Sequence, residues 1–168
     1  MKEGEMGKII VPPSLAYTSS NIYNLRPYTA LYYEARAISS DNEIEEKSKI
    51  NKYLYMNNVS PDSIFTGGIL YFNDKTGSGL HPVLNTSIEI SDSLYYINLD
   101  TPERSCQNCT KIYNSSYYTS GQIKAIHALL IGGSGTFVMP YSEMFGGTTN
   151  GSIPPYSTLV YKVELHSN

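Results

Sequence analysis

The stretch Ile153-Pro-Pro-Tyr-Ser-Thr-Leu-Val-Tyr-Lys-Val-Glu-Leu165 decides the fold of this chain. Its prolines mark a turn, and the β-branched and aromatic residues that follow favour extended backbone. Every second residue of the run is apolar: Leu159, Tyr161, Val163 and Leu165. The residues between and after them are mostly polar: Val160, Lys162, Glu164 and His166. Because side chains alternate between the two faces of a strand, this pattern predicts a final β-strand with one buried and one solvated face.

The same region has a second copy at the beginning of the chain. Residues 1–39 align without a gap on residues 129–167, at a constant offset of 128, and 9 aligned pairs are identical. These pairs include Pro27 with Pro155, Tyr28 with Tyr156, Leu31 with Leu159 and Tyr33 with Tyr161. Self-similarity at a fixed offset indicates repeated modules. We therefore expect a partial module over residues 1–40, a helical linker over 41–63 and a complete domain over 64–168.

Other elements follow from capping and spacing. Ser40 and Glu43 form a capping box, and the apolar residues after them recur at helical spacing, which predicts a helix over residues 41–57. A second helix is predicted over residues 121–131, where a Gly-Gly pair ends it. Strands are predicted over residues 68–72, 87–90, 94–99 and 136–139. The polar segment between residues 100 and 116 is predicted to be a long loop or a weak edge strand.

The composition excludes several functions. The chain has 168 residues, a net charge of −3 and 16% charged residues, without the clustered Lys and Arg that nucleic-acid binding requires. No apolar run approaches the roughly 18 residues that would predict a membrane span. Low charge and abundant Asn, Ser, Thr and Tyr are typical of exported proteins. We expect a periplasmic or surface-anchored protein whose signal lies outside this sequence, and a cytoplasmic location stays open as the alternative.

Two cysteines, Cys106 and Cys109, are separated by two residues. A redox pair requires surroundings that lower one thiol pKa, and a structural zinc site requires four ligands. The sequence shows neither, since the three histidines are scattered and there is no second cysteine pair. We expect two loop thiols or a small structural disulfide, with no metal and no cofactor.

Two segments resemble the C-terminal half of FKBP-type peptidyl-prolyl isomerases. They are the run from Met1 to Tyr17, with its Ile-Val-Pro-Pro-Ser-Leu-Ala-Tyr string, and the run from Ile153 to Leu165. The resemblance implies an α+β, FKBP-like fold: a twisted antiparallel sheet wrapped around a short helix, here with an extra N-terminal helix and a partial repeat of two strands. Residues 1–38 would be the last two strands of a preceding module.

The family binds its substrate in an aromatic-walled pocket, and the resemblance carries some of its positions onto this chain. The pocket candidates are Tyr118, Thr119, Gln122, Phe145, Ile153 and Tyr161. The equivalent positions in the partial module, relics of a pocket, are Tyr17, Leu25 and Tyr33. Ordinary roles in the core or on the surface are the competing interpretation of these residues.

Two departures from the family pattern concern the pocket itself. The floor tryptophan falls on Gln122, which removes an apolar platform of about 200 Å² and adds an amide that requires hydrogen bonds. A pocket tyrosine further upstream falls either on Ser91 or near Asn98, depending on the register. Asp100 takes the place of the family's pocket aspartate if a short deletion is assumed.

These departures leave two expectations for the function of the protein. Rotation about an X-Pro bond crosses a barrier of about 18–20 kcal/mol, and an apolar pocket lowers it by favouring the twisted amide, without a nucleophile or a metal. We expect an FKBP-like protein that binds polypeptides or proline-containing segments, with a degenerate pocket and weak or lost activity. The alternative is an active peptidyl-prolyl isomerase that assists the folding of exported proteins.

The expected partner is a polypeptide client or a partner protein. Strands left with unpaired edges are normally covered in natural proteins. We therefore expect residues 1–38 either to pair with another chain, as in a homodimer, or to pack against residues 41–168.

Overall fold

A computed structural model of the protein describes residues 6–16, 26–36, 43–97, 99, 101–114 and 116–167. The chain divides into two compact units, Met1–Ser40 and Asp41–Asn168. The described elements, in chain order, are β1 (Met6–Val11), β2 (Leu31–Arg36), α1 (Glu43–Asn57), β3 (Ser63–Phe65), β4 (Ile69–Lys75), β5 (Ser87–Tyr96), β6 (Arg104–Ile112), α2 (Ser120–Ala128), β7 (Ser134–Met139) and β8 (Leu159–Ser167).

The second unit is built on an antiparallel sheet. Its described strands are arranged in the order β3-β4-β7-β8-β5-β6. Strand β8 is paired along both edges, with β7 on one side and β5 on the other. This arrangement, with few helices, agrees with the α+β fold that the sequence predicts.

Helix α2 covers one face of this sheet. Its Ala125 and Ile126 are buried against Phe137 of β7 and Tyr161 of β8, and Tyr113 completes this core beyond the end of β6. The apolar spacing of α2 puts these residues on one side of the helix, as the sequence predicts. The helix nevertheless ends at Ala128, three residues before the predicted end.

Helix α1 covers the opposite face of the sheet. Its Ile50, Tyr53 and Leu54 pack against a second buried cluster: Leu70, Val138 and Val160. The sequence predicts a solvated second face for β8, and this is wrong for Val160, because α1 lies over that end of the strand. The prediction is correct further along β8, where the Lys162 side chain is exposed.

One further prediction differs from the structure, and another is decided between its two alternatives. The run 87–90 and the first part of the run 94–99 lie in one continuous strand, β5, which ends at Tyr96, because polar residues between them stay in the ladder with β8. Part of the segment 100–116 forms β6, which is the edge-strand alternative, and it pairs with β5. Strand β3 begins at Ser63, the last residue of the predicted linker.

Strands β1 and β2 of the first unit form an antiparallel hairpin. Met6 faces Arg36 and Val11 faces Leu31 across the ladder. In the second unit, Ser134 faces Glu164 and Met139 faces Leu159, which is the same register shifted by 128 residues. Both hairpins also have a short 3-10 turn after the first strand, at Pro13–Leu15 and Tyr141–Glu143.

The two hairpins differ in burial. Ile9 and Ile10 of β1 are 48% and 75% exposed, whereas their counterparts at the same offset, Phe137 and Val138, are each 0% exposed. Two strands alone bury little of their apolar surface, because a sheet face needs a helix or a second layer to cover it. The homodimer expected for residues 1–38 stays a prediction.

A buried carboxylate joins α1 to both ends of the segment that connects β7 to β8. Glu46 is 9% exposed, and its Oε1 accepts hydrogen bonds from the Tyr141 amide at 2.8 Å and from the Thr158 hydroxyl at 3.0 Å. Charge-assisted bonds of this kind are stronger than neutral ones. Glu46 therefore holds α1 over the sheet.

We expect the substitution Glu46→Ala to lower the free energy of unfolding by about 2–3 kcal/mol, because it leaves two partly buried donors without an acceptor. The matched variant Glu46→Gln keeps one side-chain oxygen at this place and should cost about half as much. Urea unfolding followed by circular dichroism measures both values. Equal losses in the two variants would show that the acceptor is not what anchors the helix.

A second prediction concerns alkaline pH. Burial raises the pKa of Tyr113 to about 12, so the unfolded chain loses this proton first as the pH rises above about 10, and stability falls over that range. The Tyr113 hydroxyl also donates to the Ile123 carbonyl at 2.8 Å. Tyr113→Phe should therefore cost about 1 kcal/mol at pH 8, and this deficit should vanish by pH 11. A deficit that stays constant between pH 8 and pH 11 would contradict the assignment.

Candidate functional site

A cavity of about 590 Å³ opens on the α2 side of the sheet, near the end where β5, β6 and β8 meet. Its walls come from these strands, the segment before α2, the first turn of α2 and the loop between β7 and β8. The residues that line the cavity include Asp92, Arg104, Cys106, Lys111, Tyr118, Thr119, Gln122, Phe145, Asn150 and Tyr161.

The floor of the cavity is polar. Tyr161, 1% exposed, donates from its hydroxyl to Asp92 Oδ2 at 2.9 Å. The other oxygen of this carboxylate, Oδ1, lies 3.5 Å from Lys111 Nζ. Burial, followed by the neighbouring Asp92 charge, raises the pKa of Tyr161 well above its usual range. Tyr161 is therefore a neutral donor at physiological pH, and Asp92 connects it to a cation.

Tyr118 forms one wall beside this floor. Lys111 Nζ lies 5.8 Å from the centroid of its ring, within the range of a cation-π contact. Burial raises the pKa of the Tyr118 hydroxyl, and Asp92 adds to this effect. The hydroxyl oxygen is buried and has no hydrogen-bond partner among the described residues. An unsatisfied buried hydroxyl is costly, and a ligand in the cavity does not reach this one because the oxygen has almost no accessible surface.

Gln122 and Thr119 bind each other at the start of α2. The Thr119 amide donates to Gln122 Oε1 at 3.1 Å, and the Gln122 amide donates to Thr119 Oγ1 at 3.3 Å. This capping box satisfies two amides that a helix otherwise leaves open at its first turn. The Gln122 oxygen is thus engaged in capping, and the Thr119 amide is not available to a ligand.

The wall opposite Tyr118 combines an aromatic ring with a cation. The guanidinium carbon of Arg104 lies 5.7 Å from the centroid of the Phe145 ring. Arg104 Nη2 donates to the Asn150 carbonyl oxygen at 2.8 Å and also to Asn150 Oδ1. These contacts hold the exposed Arg104 side chain against the loop between β7 and β8.

The structure places the predicted site residues in three groups. Tyr118, Thr119, Gln122, Phe145 and Tyr161 line the cavity. Ile153 is fully buried in the core and does not belong to the lining. Tyr33 lies in the first unit and is 46% exposed, whereas Tyr17, Leu25 and Asp100 lie outside the described residues.

Sequence reasoning missed the charged residues of the cavity. For the upstream tyrosine it proposed Ser91 or a position near Asn98, but Ser91 Oγ accepts the Asn108 amide at 3.0 Å and Asn98 lies outside the described residues. The cavity residue is the next one, Asp92. The signal was present, because Ile90, Leu94 and Tyr96 are apolar at alternate positions and Asp92 interrupts them.

Cys106 and Cys109 form a disulfide within β6. Cys106 faces Asp92 and Cys109 faces Ile90, so β6 advances three residues where β5 advances two. This β-bulge holds the extra residue, and a bulge increases the local bend of a strand. Cys106 also lines the cavity and pairs with Asp92 across the β5–β6 ladder. The disulfide therefore holds the part of the rim next to Asp92 in place.

The described part of the chain contains no group of three or more His, Cys, Asp or Glu residues that could hold a metal ion. None of the described helices is long and apolar enough to cross a membrane.

We expect reduction of the disulfide to lower the free energy of unfolding by about 2 kcal/mol, the value for closing a four-residue loop. The measurement is urea unfolding with and without dithiothreitol. The double variant Cys106→Ser/Cys109→Ser is the control, because it should match the reduced protein and ignore the reductant. An unchanged unfolding midpoint after full reduction would contradict a stabilising role.

No protein-family model matches the chain, and no curated protein matches its sequence. Its structure is similar to a peptidyl-prolyl cis-trans isomerase from Pseudomonas syringae pv. tomato, with a TM-score of 0.61 and 21% identity over 77% of this chain and 98% of the other. FkpA from Escherichia coli gives a TM-score of 0.63 and 18% identity over 73% of this chain and 58% of FkpA. AtFKBP13 gives 0.53 and 21% identity over 61% and 94%. The chain therefore has the fold of the FKBP-type peptidyl-prolyl isomerases.

Proposed function

We propose that the second unit binds proline-containing segments of polypeptides in its cavity and that it has little isomerase activity. The observation that carries this proposal is the combination of aromatic walls, formed by Tyr118 and Phe145, with a charged floor at Asp92. The aromatic walls suit a proline ring, whereas the charges of the floor do not favour the twisted amide over the planar one.

The walls support binding of an apolar ring that belongs to a peptide. Aromatic side chains offer large flat surfaces at low entropic cost. A proline ring packed in the cavity would therefore contact the rings of Tyr118 and Phe145, while the buried Tyr118 hydroxyl stays behind the wall.

The floor argues against strong catalysis. Twisting an X-Pro amide removes its resonance and lowers its polarity, so an apolar surface favours the twisted state. Here the floor contains the Asp92 carboxylate, the Tyr161 hydroxyl and the Lys111 ammonium group. The resemblance also implies an aspartate in the family's pocket, so the Asp92 carboxylate alone does not decide the question. The Lys111 ammonium group beside it adds a second charge, and charged groups stabilise a polar planar amide at least as well as a twisted one. Binding without differential stabilisation does not accelerate rotation.

Gln122 supports the same conclusion. Its side-chain oxygen caps α2 and does not provide the broad apolar platform that a tryptophan would supply. The sequence contains no tryptophan that could reach this position from elsewhere. The residual aromatic surface of Phe145 and Tyr161 favours a second candidate, an active peptidyl-prolyl isomerase, which the experiment below distinguishes.

We propose a polypeptide client as partner and export as the location. The disulfide between Cys106 and Cys109 is consistent with an oxidising compartment, such as a bacterial periplasm or cell surface. Neither proposal requires a cofactor.

The test is a nuclear magnetic resonance titration with a short peptide that contains Leu-Pro, combined with exchange spectroscopy of its cis and trans forms. We expect saturable shifts at the cavity residues and an exchange rate within about tenfold of the uncatalysed rate. Phe145→Ala should weaken binding by about tenfold through loss of ring contact. The control Tyr55→Ala, at a site 87% exposed on α1, should bind like the unchanged protein.

Each outcome of this experiment decides between the candidates. Absence of binding, or equal weakening by both substitutions, would show that the cavity is not the peptide site. Binding at the cavity with exchange accelerated by several orders of magnitude would establish the active isomerase and overturn the weak-activity proposal.

A further inference from the structure

The charges that line the cavity are unequal. Two cations, Arg104 and Lys111, face one carboxylate, Asp92. Lys111 and Asp92 lie 3.5 Å apart and neutralise each other. The cavity is therefore left with the charge of Arg104.

Within the described part of the chain, Arg104 contacts uncharged groups. Its Nη2 donates hydrogen bonds to the side-chain and main-chain oxygens of Asn150. The adjacent carboxylate, Glu103, accepts a hydrogen bond from the Ser152 hydroxyl at 2.8 Å and does not line the cavity. A guanidinium has five donors in a fixed planar arrangement, so most of its capacity for a carboxylate remains after these two bonds.

The position of Arg104 defines where such a carboxylate would lie. Its guanidinium carbon is 5.7 Å from the centroid of Phe145, the ring on which the proposed proline packs. Neighbouring residues of an extended chain are about 3.8 Å apart between Cα atoms. The side chain of a residue beside that proline would therefore reach the guanidinium.

We propose that the cavity selects proline-containing segments that carry an acidic residue, Asp or Glu, next to the proline. This inference rests on the proposed function and specifies its substrate class. The acidic side chain forms a charge-assisted pair with Arg104 and balances the excess positive charge. A lysine at the same place meets the guanidinium and is repelled.

The test uses acetylated, amidated tetrapeptides that differ at one position. Peptides with Glu, Gln or Lys immediately before proline, and a second set with the same residues immediately after it, are titrated into the full chain at low salt. We expect the Glu peptide of at least one set to bind about tenfold more tightly than its Gln counterpart, and the Lys peptide to bind more weakly than either. Raising the ionic strength should reduce the difference in affinity between the Glu, Gln and Lys peptides.

Two variants identify the residue that is responsible. Arg104→Gln should reduce the preference for Glu over Gln to about twofold, and because both peptides are measured on the same variant, this ratio does not depend on any change in the affinity for the Gln peptide. Lys162→Gln is the matched control, since it removes one positive charge on the α1 side of the sheet, where Lys162 Nζ lies 5.3 Å from the Tyr95 ring centroid. The Lys162→Gln variant should keep the full preference for the Glu peptide over the Gln peptide.

The failures of the two proposals can be distinguished. If Gln, Glu and Lys peptides bind with equal affinity in both sets, the acidic preference is wrong and the proline site stands. If none of the peptides binds, the proposed function fails together with its substrate class. A preference that persists in Arg104→Gln, or that disappears in Lys162→Gln, would overturn the assignment to Arg104.

Discussion

The pairing of β8 with a strand along each edge is the constraint on which the second unit depends. Ladders with β7 and β5 fix its register on both sides, and its two faces contribute to different buried clusters: Tyr161 to the α2 side and Val160 to the α1 side. A slip by one residue would exchange these side chains and bury Lys162 under α2. The register of β8 also affects the cavity, because the Tyr161 hydroxyl binds Asp92 and so fixes the position of that carboxylate.

Local sequence accounts for much of the β7–β8 hairpin without help from its neighbours. The β1–β2 hairpin has the same register at an offset of 128 residues although its apolar side chains are exposed. Tyr28 and Tyr156, the aligned tyrosines that follow a proline in each copy, both adopt left-handed backbone, with φ of 61° and 57°. The two copies therefore share this turn conformation as well as the register of their strands.

The fold and the aromatic pocket candidates are predicted from the resemblance of two segments to the FKBP family, and spacing within single segments supports part of that prediction. The alternation of β8 places Tyr161 inward, and helix capping fixes Thr119 and Gln122 relative to each other. The charged half of the site could not be predicted in the same way. Arg104 and Lys111 reach the cavity through the pairing of β6 with β5, and the bulge at the disulfide shifts that pairing by one residue. Such a shift is set by tertiary context.

The resemblance places a tryptophan of the FKBP family at the position of Gln122, and the two residues differ in what they can do at the start of α2. At the first turn of α2, a glutamine can accept the Thr119 amide, which a tryptophan cannot do. Gln122 therefore caps the helix and does not offer the apolar platform of a tryptophan, and the Thr119 amide is engaged. Under the proposed function, recognition comes from other groups of the lining: the aromatic rings and the guanidinium of Arg104, whose hydrogen bonds to described residues go to Asn150. These groups bind a planar peptide as well as a twisted one, so the proposed binding does not require accelerated rotation.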